Sequence, residues 1–221
     1  VAGDEALVIA RNLPGALVTI AKNRATAGRW IESCRTADLH LLDAGFQHRQ
    51  LHRCLDLVLV DVTNPFGGGR MAPSGQLREP LEALRRADAV ILTRTQLGQS
   101  YDPLTSKLRS FNPGLPCFQS TQTLEPVISR TVGGEKVETP LSGCRALAFA
   151  GLGNPKQFFD SLRQNGVNLV QALPFGDHHR YSTRELKTIG RRCQELRVDT
   201  AITTEKDAEN LPPTSLLPPE L

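Results

Sequence analysis

Short apolar runs recur along the first half of the chain, and several of them end in a polar or small residue. Near-continuous apolar runs of this length are typical of strands in a parallel sheet that is buried on both faces. Segments of helical spacing lie between the runs and predict helices at 25–34 and 80–87. This alternation predicts an α/β fold with a mostly parallel sheet. The runs that we interpret as strands are 17–20, 39–43, 55–61 and 89–93.

The pattern changes between about residues 121 and 141. Two β-rich runs, 125–130 and 136–139, flank Gly133-Gly134, and a Gly-Gly pair between such runs predicts a two-stranded hairpin. We interpret this hairpin as a connector between two lobes. The chain is therefore expected to divide into domains at 1–122, 123–141 and 142–221.

A second, smaller α/β stretch follows the hairpin. Asn154 and Pro155 predict the start of a helix that stops at Gly166. Ser182 and Glu185 have the spacing of a capping box, which predicts the start of another helix. The tail contains several prolines and is expected to be irregular. The predicted strands of this stretch are 145–150, 168–175 and 200–203.

Composition excludes several functional classes. The chain has 221 residues with a net charge of +3, which is too small to indicate a nucleic-acid partner. No apolar run reaches the ~18 residues of a membrane span, and five scattered cysteines without a C-x-x-C pair favour a reducing compartment. The chain opens at Val1, and its single methionine is Met71, so we expect it to be trimmed or partial.

In open α/β sheets, ligands bind beyond the carboxyl ends of the strands. Asp43 follows the apolar run 39–42 and has the position of a carboxylate that holds magnesium, although a turn or cap role is the more common explanation of such an Asp. The loop that continues to His48 adds a glycine, an aromatic ring and an imidazole. These residues strengthen the functional interpretation of Asp43 somewhat.

A glycine-rich loop at 64–80 carries Arg70, Arg78 and Glu79 directly before a predicted helix. Backbone N–H groups and guanidinium forks suit anionic oxygens, and Glu79 would suit a metal. A surface loop with a charge at a helix start is the alternative. The residues alone favour neither interpretation.

Three more clusters carry titratable groups. The Asp177-His178-His179 run on a predicted loop suits general acid–base chemistry with Asp177 as orienter, although paired histidines are often plain surface. Lys206 has two equally simple interpretations, a phosphate-binding residue and a solvated surface lysine. Asp4 and Glu5 are simply explained as acids in the first turn of a helix, and Arg24 as a surface residue.

Two nucleotide-binding signatures are not met. Gly151 and Gly153 follow a predicted strand, but Lys156 occupies the position of the third glycine in G-x-G-x-x-G. This makes a nicotinamide-dependent oxidoreductase a remote alternative. The sequence contains no G-x-x-x-x-G-K-[ST].

Taken in order, these motifs resemble the tetraacyldisaccharide 4′-kinase family of lipid A biosynthesis. The resemblance covers nearly the whole chain. It is carried by Gly3-Asp4-Glu5-Ala6-Leu7, Lys22-Asn23-Arg24, Leu42-Asp43-Ala44-Gly45-Phe46-Gln47-His48, Leu57-Val58-Leu59-Val60-Asp61, Phe66-Gly67-Gly68-Gly69-Arg70, Pro73-Ser74-Gly75-Gln76-Leu77-Arg78-Glu79-Pro80-Leu81, Phe149-Ala150-Gly151-Leu152-Gly153-Asn154-Pro155, Phe175-Gly176-Asp177-His178-His179-Arg180-Tyr181 and Thr203-Thr204-Glu205-Lys206-Asp207-Ala208.

The resemblance implies a P-loop-NTPase-like kinase lobe and a smaller α/β lobe joined by a two-stranded connector. The implied reaction transfers the γ-phosphate of ATP, with Mg²⁺, to the 4′-hydroxyl of a tetraacylated glucosamine disaccharide 1-phosphate, a lipid A precursor. It would take place at the cytoplasmic face of the inner membrane of Gram-negative bacteria, with the protein bound peripherally.

The resemblance also assigns roles to residues. Asp4 would be the base that accepts the hydroxyl proton, paired with a histidine of the 177–179 run, where we expect His178 to act with Asp177. Asp43 would be the Walker-B carboxylate and Glu79 a magnesium-side residue. The remaining cofactor-binding residues would be Arg24, Arg78 and His48.

The sequence departs from the family pattern in three places. The family's N-terminal part, with its Walker A loop, is not matched, so we expect the chain alone to be inactive. Ala44 replaces the second Asp of the usual Asp-Asp-Gly, and Gly68 stands where Asn is usual. A degenerate homologue that binds an acylated sugar phosphate without chemistry is therefore the alternative.

Overall fold

The structure is a computed structural model that describes residues 3–121, 123, 127–130, 136–139, 141–198 and 200–213. The chain forms two compact units. The central unit is continuous, Ala21–Thr123, and the terminal unit combines Val1–Ile20 with Leu124–Leu221. The division differs from the predicted domains, because both the first twenty residues and the connector are grouped with the C-terminal part of the chain.

The central unit is a parallel three-stranded sheet with helices. Its strands are β1 (Leu57–Asp61), β2 (Ala89–Thr93) and β3 (Cys117–Ser120), paired in the order β1-β2-β3. The helices are α2 (Arg24–Cys34), a 3₁₀ helix (Leu81–Arg86) and α3 (Asp102–Phe111). The core, which gathers around β2, contains Val60, Leu84, Ala87, Val90, Leu92, Tyr101, Leu108 and Leu115.

The predictions for this unit are partly confirmed. The structure confirms β1, β2 and the helix that begins near residue 25, whereas the second predicted helix is of the 3₁₀ type. The prediction of strands at 39–43 in this unit and at 17–20 in the terminal unit is wrong. Leu39 and Leu41 are 73% and 86% exposed, and neither segment pairs with a strand of the described residues. Apolar runs become strands only where a neighbouring strand and a covering layer are available.

The terminal unit contains α1 (Asp4–Asn12), the antiparallel pair β4 (Val127–Arg130) and β5 (Lys136–Thr139), and a parallel sheet. The sheet has the order β7-β6-β8, with β6 at Arg145–Ala150, β7 at Asn168–Pro174 and β8 at Thr200–Ile202. Its helices are α4 (Pro155–Gln164), α5 (Thr183–Leu196) and the short α6 (Glu205–Ala208).

Strand β6 is buried on both faces. Its alternate residues enter two clusters: Ala146, Ala148 and Ala150 pack with residues of α4, while Leu147 and Phe149 pack with residues of α5. Side chains alternate across a strand, and a central parallel strand needs both faces covered. The apolar run at 145–150 is therefore a strand, as predicted.

Local signals also place the helices of this unit. The Ser182 side chain accepts from the N–H of Glu185, and the Glu185 side chain accepts from the N–H of Ser182, which confirms the capping box. Pro155 begins α4, as predicted. The predicted connector strands are present, whereas the Gly133-Gly134 turn and the end of the tail lie outside the described residues. Among the described helices, none has the length and apolar character that a membrane span requires.

Candidate active site

Three loops of the terminal unit meet at one edge of its sheet. Because β6, β7 and β8 are parallel, their carboxyl ends lie at the same edge, where α/β proteins place ligands. The loop after β6 begins with Gly151, the loop after β7 carries Asp177 and His178, and β8 leads into α6 with Lys206. Helix α1 contacts α6, and it brings Asp4 to this edge.

Asp4 and His178 form the centre of this cluster. His178 Nδ1 lies 3.0 Å from both carboxylate oxygens of Asp4. Asn210 Nδ2 donates to Asp4 Oδ2 over 2.9 Å, and the backbone N–H of Glu5 donates to Oδ1 over 3.1 Å. The Asp4 side chain is only 4% exposed, whereas that of His178 is 53% exposed. Asp4 is thus a satisfied buried carboxylate that orients an accessible imidazole.

Three further charged side chains lie next to the pair: Glu5, Asp177 and Lys206. Lys206 Nζ lies 2.9 Å from Glu5 Oε1 and 3.2 Å from Asp177 Oδ1. His178 Nε2 lies 3.8 Å from Glu5 Oε1 and 3.7 Å from Asp177 Oδ2, which is beyond hydrogen-bond distance. Lys206 is therefore a bridging residue, and the outer imidazole nitrogen is left available to a reacting group.

The surroundings shift the pKa values of the pair in opposite directions. Burial works against the charge of Asp4, but hydrogen bonds with Glu5, His178 and Asn210 and the charge of Lys206 outweigh it, so the pKa of Asp4 lies well below its usual range. The hydrogen bond to Asp4 raises the pKa of His178, although Lys206 opposes it. The pair therefore favours a carboxylate beside an imidazolium.

The two adjacent histidines have different partners. His178 has a left-handed backbone with φ of 55°, and its N–H lies 3.2 Å from the carbonyl of Gly151. His179 Nε2 lies 3.1 Å from Glu185 Oε1, and its ring stacks on Phe175. Only His178 contacts Asp4, so the structure selects one histidine where the sequence left two.

Asp207 lies beneath this cluster and is 1% exposed. Its Oδ1 accepts from the Gly151 N–H over 2.7 Å and from the Tyr181 hydroxyl over 2.8 Å. Its other carboxylate oxygen accepts from the hydroxyl of Thr204, the residue that caps α6. The loops after all three strands are therefore tied to one buried carboxylate.

Polar contacts join α1 along its length to residues 204–210, which comprise α6 and its two ends and are called the α6 segment below. Arg11 forms an ion pair with Glu209, and Asn12 Nδ2 donates to Glu205 Oε1 over 2.6 Å. With the Lys206–Glu5 and Asn210–Asp4 contacts, they hold both ends of the helix. This docking keeps Asp4 at the sheet edge.

The central unit contains the other predicted site residues. Arg24 Nη1 donates to the carbonyl of Ala44 over 3.2 Å, and Ala44 has a left-handed backbone with φ of 48°. The neighbouring Asp43 is exposed at this turn. His48 Nδ1 is buried without a hydrogen-bond partner among the described residues. The structure thus places Arg24 next to the turn that presents Asp43.

Arg78 and Glu79 line an open pocket beside β1 with a volume of about 250 Å³. Glu79 forms an ion pair with Arg86, whose guanidinium lies 4.6 Å from the centre of the Phe46 ring. Asp43 and Glu79 are not among the described side chains whose ligand atoms gather within 4.8 Å of one another. The magnesium role of Asp43 stays a prediction, and the Glu79 carboxylate is paired with Arg86.

Comparisons with known proteins identify the family of the chain. The sequence model of LpxK, Tetraacyldisaccharide-1-P 4′-kinase, matches residues 1–217. The chain belongs to this family. It is 38% identical over 209 residues to the tetraacyldisaccharide 4′-kinase of Pelobacter propionicus, covering 95% of this chain and 56% of that protein. It is 38% identical over 223 residues to that of Anaeromyxobacter sp., covering 100% of this chain and 59% of that protein.

A solved structure gives the same result. The chain matches LpxK from Aquifex aeolicus, solved in complex with ATP, with a TM-score of 0.62 and 28% identity. The match covers 95% of this chain and 62% of that chain. The α/β, P-loop-kinase-like fold is thereby confirmed. The chain spans about three fifths of the length of the LpxK proteins it matches.

Within the LpxK family fold, sequence reasoning missed two contacts of the site. Asn210, which binds Asp4, carries no motif of its own. Asp207 and Thr204 have the spacing of a capped first turn, and the structure shows that Thr204 accepts from the N–H of Asp207. The burial of Asp207 had no local signal, because it depends on Gly151 and Tyr181 from other loops.

Proposed function

We propose that the protein containing this chain is a tetraacyldisaccharide 4′-kinase, which phosphorylates the 4′-hydroxyl of a tetraacylated glucosamine disaccharide 1-phosphate with ATP. Family membership and the names of the relatives support the acceptor, and the ATP complex of the Aquifex aeolicus protein supports the donor. The observation that carries the proposal is the contact between buried Asp4 and exposed His178.

The Asp4–His178 pair supplies what the reaction needs from a protein. As the hydroxyl oxygen forms its bond to the γ-phosphorus and the bond to the leaving ADP oxygen breaks, one proton must leave the hydroxyl. We assign its uptake to the pair, which titrates as a unit. Either Asp4 takes the proton, or His178 Nε2 takes it while Asp4 orients the ring. The second assignment requires the neutral imidazole and therefore applies above the raised pKa of His178; there it is favoured by the filled hydrogen-bonding positions of Asp4.

The central unit is assigned to the nucleotide. Magnesium bound with ATP neutralises phosphate charge in such reactions, and Asp43 is the residue that we assign to hold it. Arg24 and Arg78 suit phosphate oxygens because a guanidinium binds them through paired N–H groups. His48 is also assigned to the binding of the nucleotide. Glu79 is assigned to the magnesium ion once its ion pair with Arg86 is broken.

The location follows from the substrate. An acylated disaccharide resides in a membrane, so the protein is assigned to the cytoplasmic face of the inner membrane, bound peripherally. The lipid precursor and ATP are its partners in this proposal.

The test is a kinase assay on the protein as its gene encodes it, with ATP and the tetraacylated acceptor. We expect Asp4→Ala to lower kcat by about 10²–10⁴-fold, the usual scale of acid–base catalysis, while Asp160→Ala on the surface of α4 leaves it unchanged. No phosphate transfer by the unmodified protein would favour the non-catalytic homologue, which Ala44 also favours.

The pH profile separates the two proton acceptors. If His178 Nε2 accepts the proton, kcat falls as the pH drops below the raised pKa of His178, because the imidazolium has no free lone pair. If Asp4 accepts it, this acid limb is missing near neutral pH. A His178→Gln variant that keeps the full rate would remove the histidine from the reaction.

A further inference from the structure

The α6 segment contains a buried charge that the proposed chemistry does not use. The Asp207 side chain accepts three hydrogen bonds: from the Gly151 N–H, the Tyr181 hydroxyl and the Thr204 hydroxyl. Burying a carboxylate is costly unless its partners compensate. Thr204 caps α6 with its own side chain, so the helix cap does not account for the charge of Asp207.

Two of these partners lead to His178. The carbonyl of Gly151, the residue whose N–H binds Asp207, lies 3.2 Å from the N–H of His178. Tyr181 lies three residues beyond His178, and its ring packs at 5.1 Å from Phe175 and 4.9 Å from His179. Asp207 is therefore linked to the His178 loop at two points: through Gly151 in the loop after β6, and through Tyr181 near the end of the His178 loop.

His178 needs such support because its backbone is left-handed. For a residue with a Cβ, a backbone at φ of 55° is less favourable than the ordinary helical region. Such a conformation persists only where the surroundings determine it. The side chain reaches Asp4 from this backbone, so the direction of the imidazole depends on the loop.

The geometry points to Asp207 as a positioning residue, which acts through Gly151 and Tyr181 to hold His178 against Asp4. Its kinetic consequence rests on the proposed function, whereas its structural consequence does not. Asp207 touches neither Asp4 nor His178 in the contacts of the described residues. It is therefore not a catalytic residue.

The experiment measures the imidazole of His178 directly. NMR titration of the five histidines is done on this chain, with His178 assigned from a His178→Gln variant. The charged groups that face His178 are Asp4 and Glu5 on α1, Asp177 on its own loop and Lys206 on α6. None of them is altered by the variants tested. The variants are Asp207→Asn, Tyr181→Phe and, as a matched surface control, Asp160→Asn.

We expect Asp207→Asn and Tyr181→Phe to lower the pKa of His178 toward the ordinary histidine value, because the ring then spends less time against Asp4. Asp160→Asn leaves it unchanged. If Asp207 only added global stability, its substitution would lower the melting temperature without changing the pKa of His178 in the folded protein. If Asp207→Asn is folded and His178 titrates as in the parent chain, the positioning role is wrong. If Asp207→Asn does not fold, Tyr181→Phe decides, since it keeps the carboxylate and its bond to Gly151.

The kinetic arm uses the protein as its gene encodes it. Asp207→Asn is expected to lower kcat about 10- to 100-fold, the scale of a misplaced reacting group, and to leave KM for ATP within about two-fold. A 10- to 100-fold rise in KM for ATP with an unchanged kcat would contradict the positioning role of Asp207. If the unmodified protein has no kinase activity, the proposed function fails, but the NMR arm still tests the positioning of His178.

Discussion

His178 Nδ1 lies 3.0 Å from both carboxylate oxygens of Asp4, although 174 positions separate the two residues along the chain. The contact joins the first turn of α1 to the loop after β7. It pairs a buried acceptor with an exposed ring, so each residue sets the charge state of the other.

Removing the charge of Asp4 is predicted to lower the pKa of His178. The carboxylate raises this pKa by accepting a hydrogen bond from Nδ1, and an amide at the same position attracts a proton less strongly. The measurement is an NMR titration of the imidazole in Asp4→Asn. Asp160→Asn is the control and should match the parent. A pKa that stays raised in Asp4→Asn would mean that Asp177 and Glu5 carry the effect.

The pair should make stability depend on pH at both ends. The pKa of Asp4 is lowered, so its contribution is present above the ordinary Asp value of about 3.9 and is lost as the pH falls further. The pKa of His178 is raised, so its contribution is present below about 6.5 and is lost as the pH rises through the folded value.

The free energy of unfolding in urea, measured against pH for the parent and for Asp4→Asn, tests this dependence. The difference between the two proteins should be largest between about pH 4 and pH 6.5. A difference that is constant from pH 3 to pH 9 would show that the pair does not couple protonation to folding.

Gly151→Ala is predicted to destabilise the terminal unit. A Cβ at this position would lie 2.9 Å from Asp207 Oδ1, from the carbonyl of Gly176 and from His179 Cβ. Two of these atoms belong to the loop after β7 and the third to a buried side chain of α6, so relief requires movement of packed segments, and the expected cost is about 1–3 kcal/mol in the free energy of unfolding.

Gly153→Ala is the matched control, because its Cβ would meet nothing nearer than Asp177 Oδ2 at 3.5 Å. Urea unfolding of both variants gives the comparison. Equal stability of the two would mean that the loop after β6 adjusts freely, which would also weaken the argument for Asp207.

Ala44→Asp is predicted to be tolerated and to improve the use of magnesium. Ala44 has φ of 48°, and Asp adopts this left-handed region more readily than Ala. The new carboxylate would stand next to Asp43. In the kinase assay on the protein as its gene encodes it, the Mg²⁺ concentration at half-maximal rate should fall.

Ala44→Gly separates the backbone effect from the charge, because glycine also relieves the left-handed strain but adds no ligand. It should leave the magnesium dependence as in the parent. If both variants behave alike, position 44 does not contact the ion.

Local sequence patterns predicted the parts of the fold that local chemistry determines. The Ser182–Glu185 capping box and the apolar run at 145–150 appear in the structure where they were expected. The runs at 17–20 and 39–43 look equally apolar but form no strand. Strand formation depends on pairing partners, which an apolar run does not specify.

The site was predictable only in part for the same reason. The resemblance paired Asp4 with a histidine of the 177–179 run, and the structure shows His178 as its partner. Spacing along the chain does not bring together residues so far apart. Asn210 and Asp207 were missed because their roles arise from tertiary contacts, with α1 and with the loops after β6 and β7.

The contacts between α1 and the α6 segment have a consequence for synthesis on the ribosome. Asp4 and Glu5 are translated about two hundred residues before their partners Lys206 and Asn210, so the terminal unit cannot complete its folding until Asn210 has been made. The central unit is continuous in sequence, so it can fold before the C-terminal partners of α1 are translated. Nascent chains should therefore bury the core of the central unit while α1 is still undocked, and the imidazole that binds Asp4 should find it in one of the last steps.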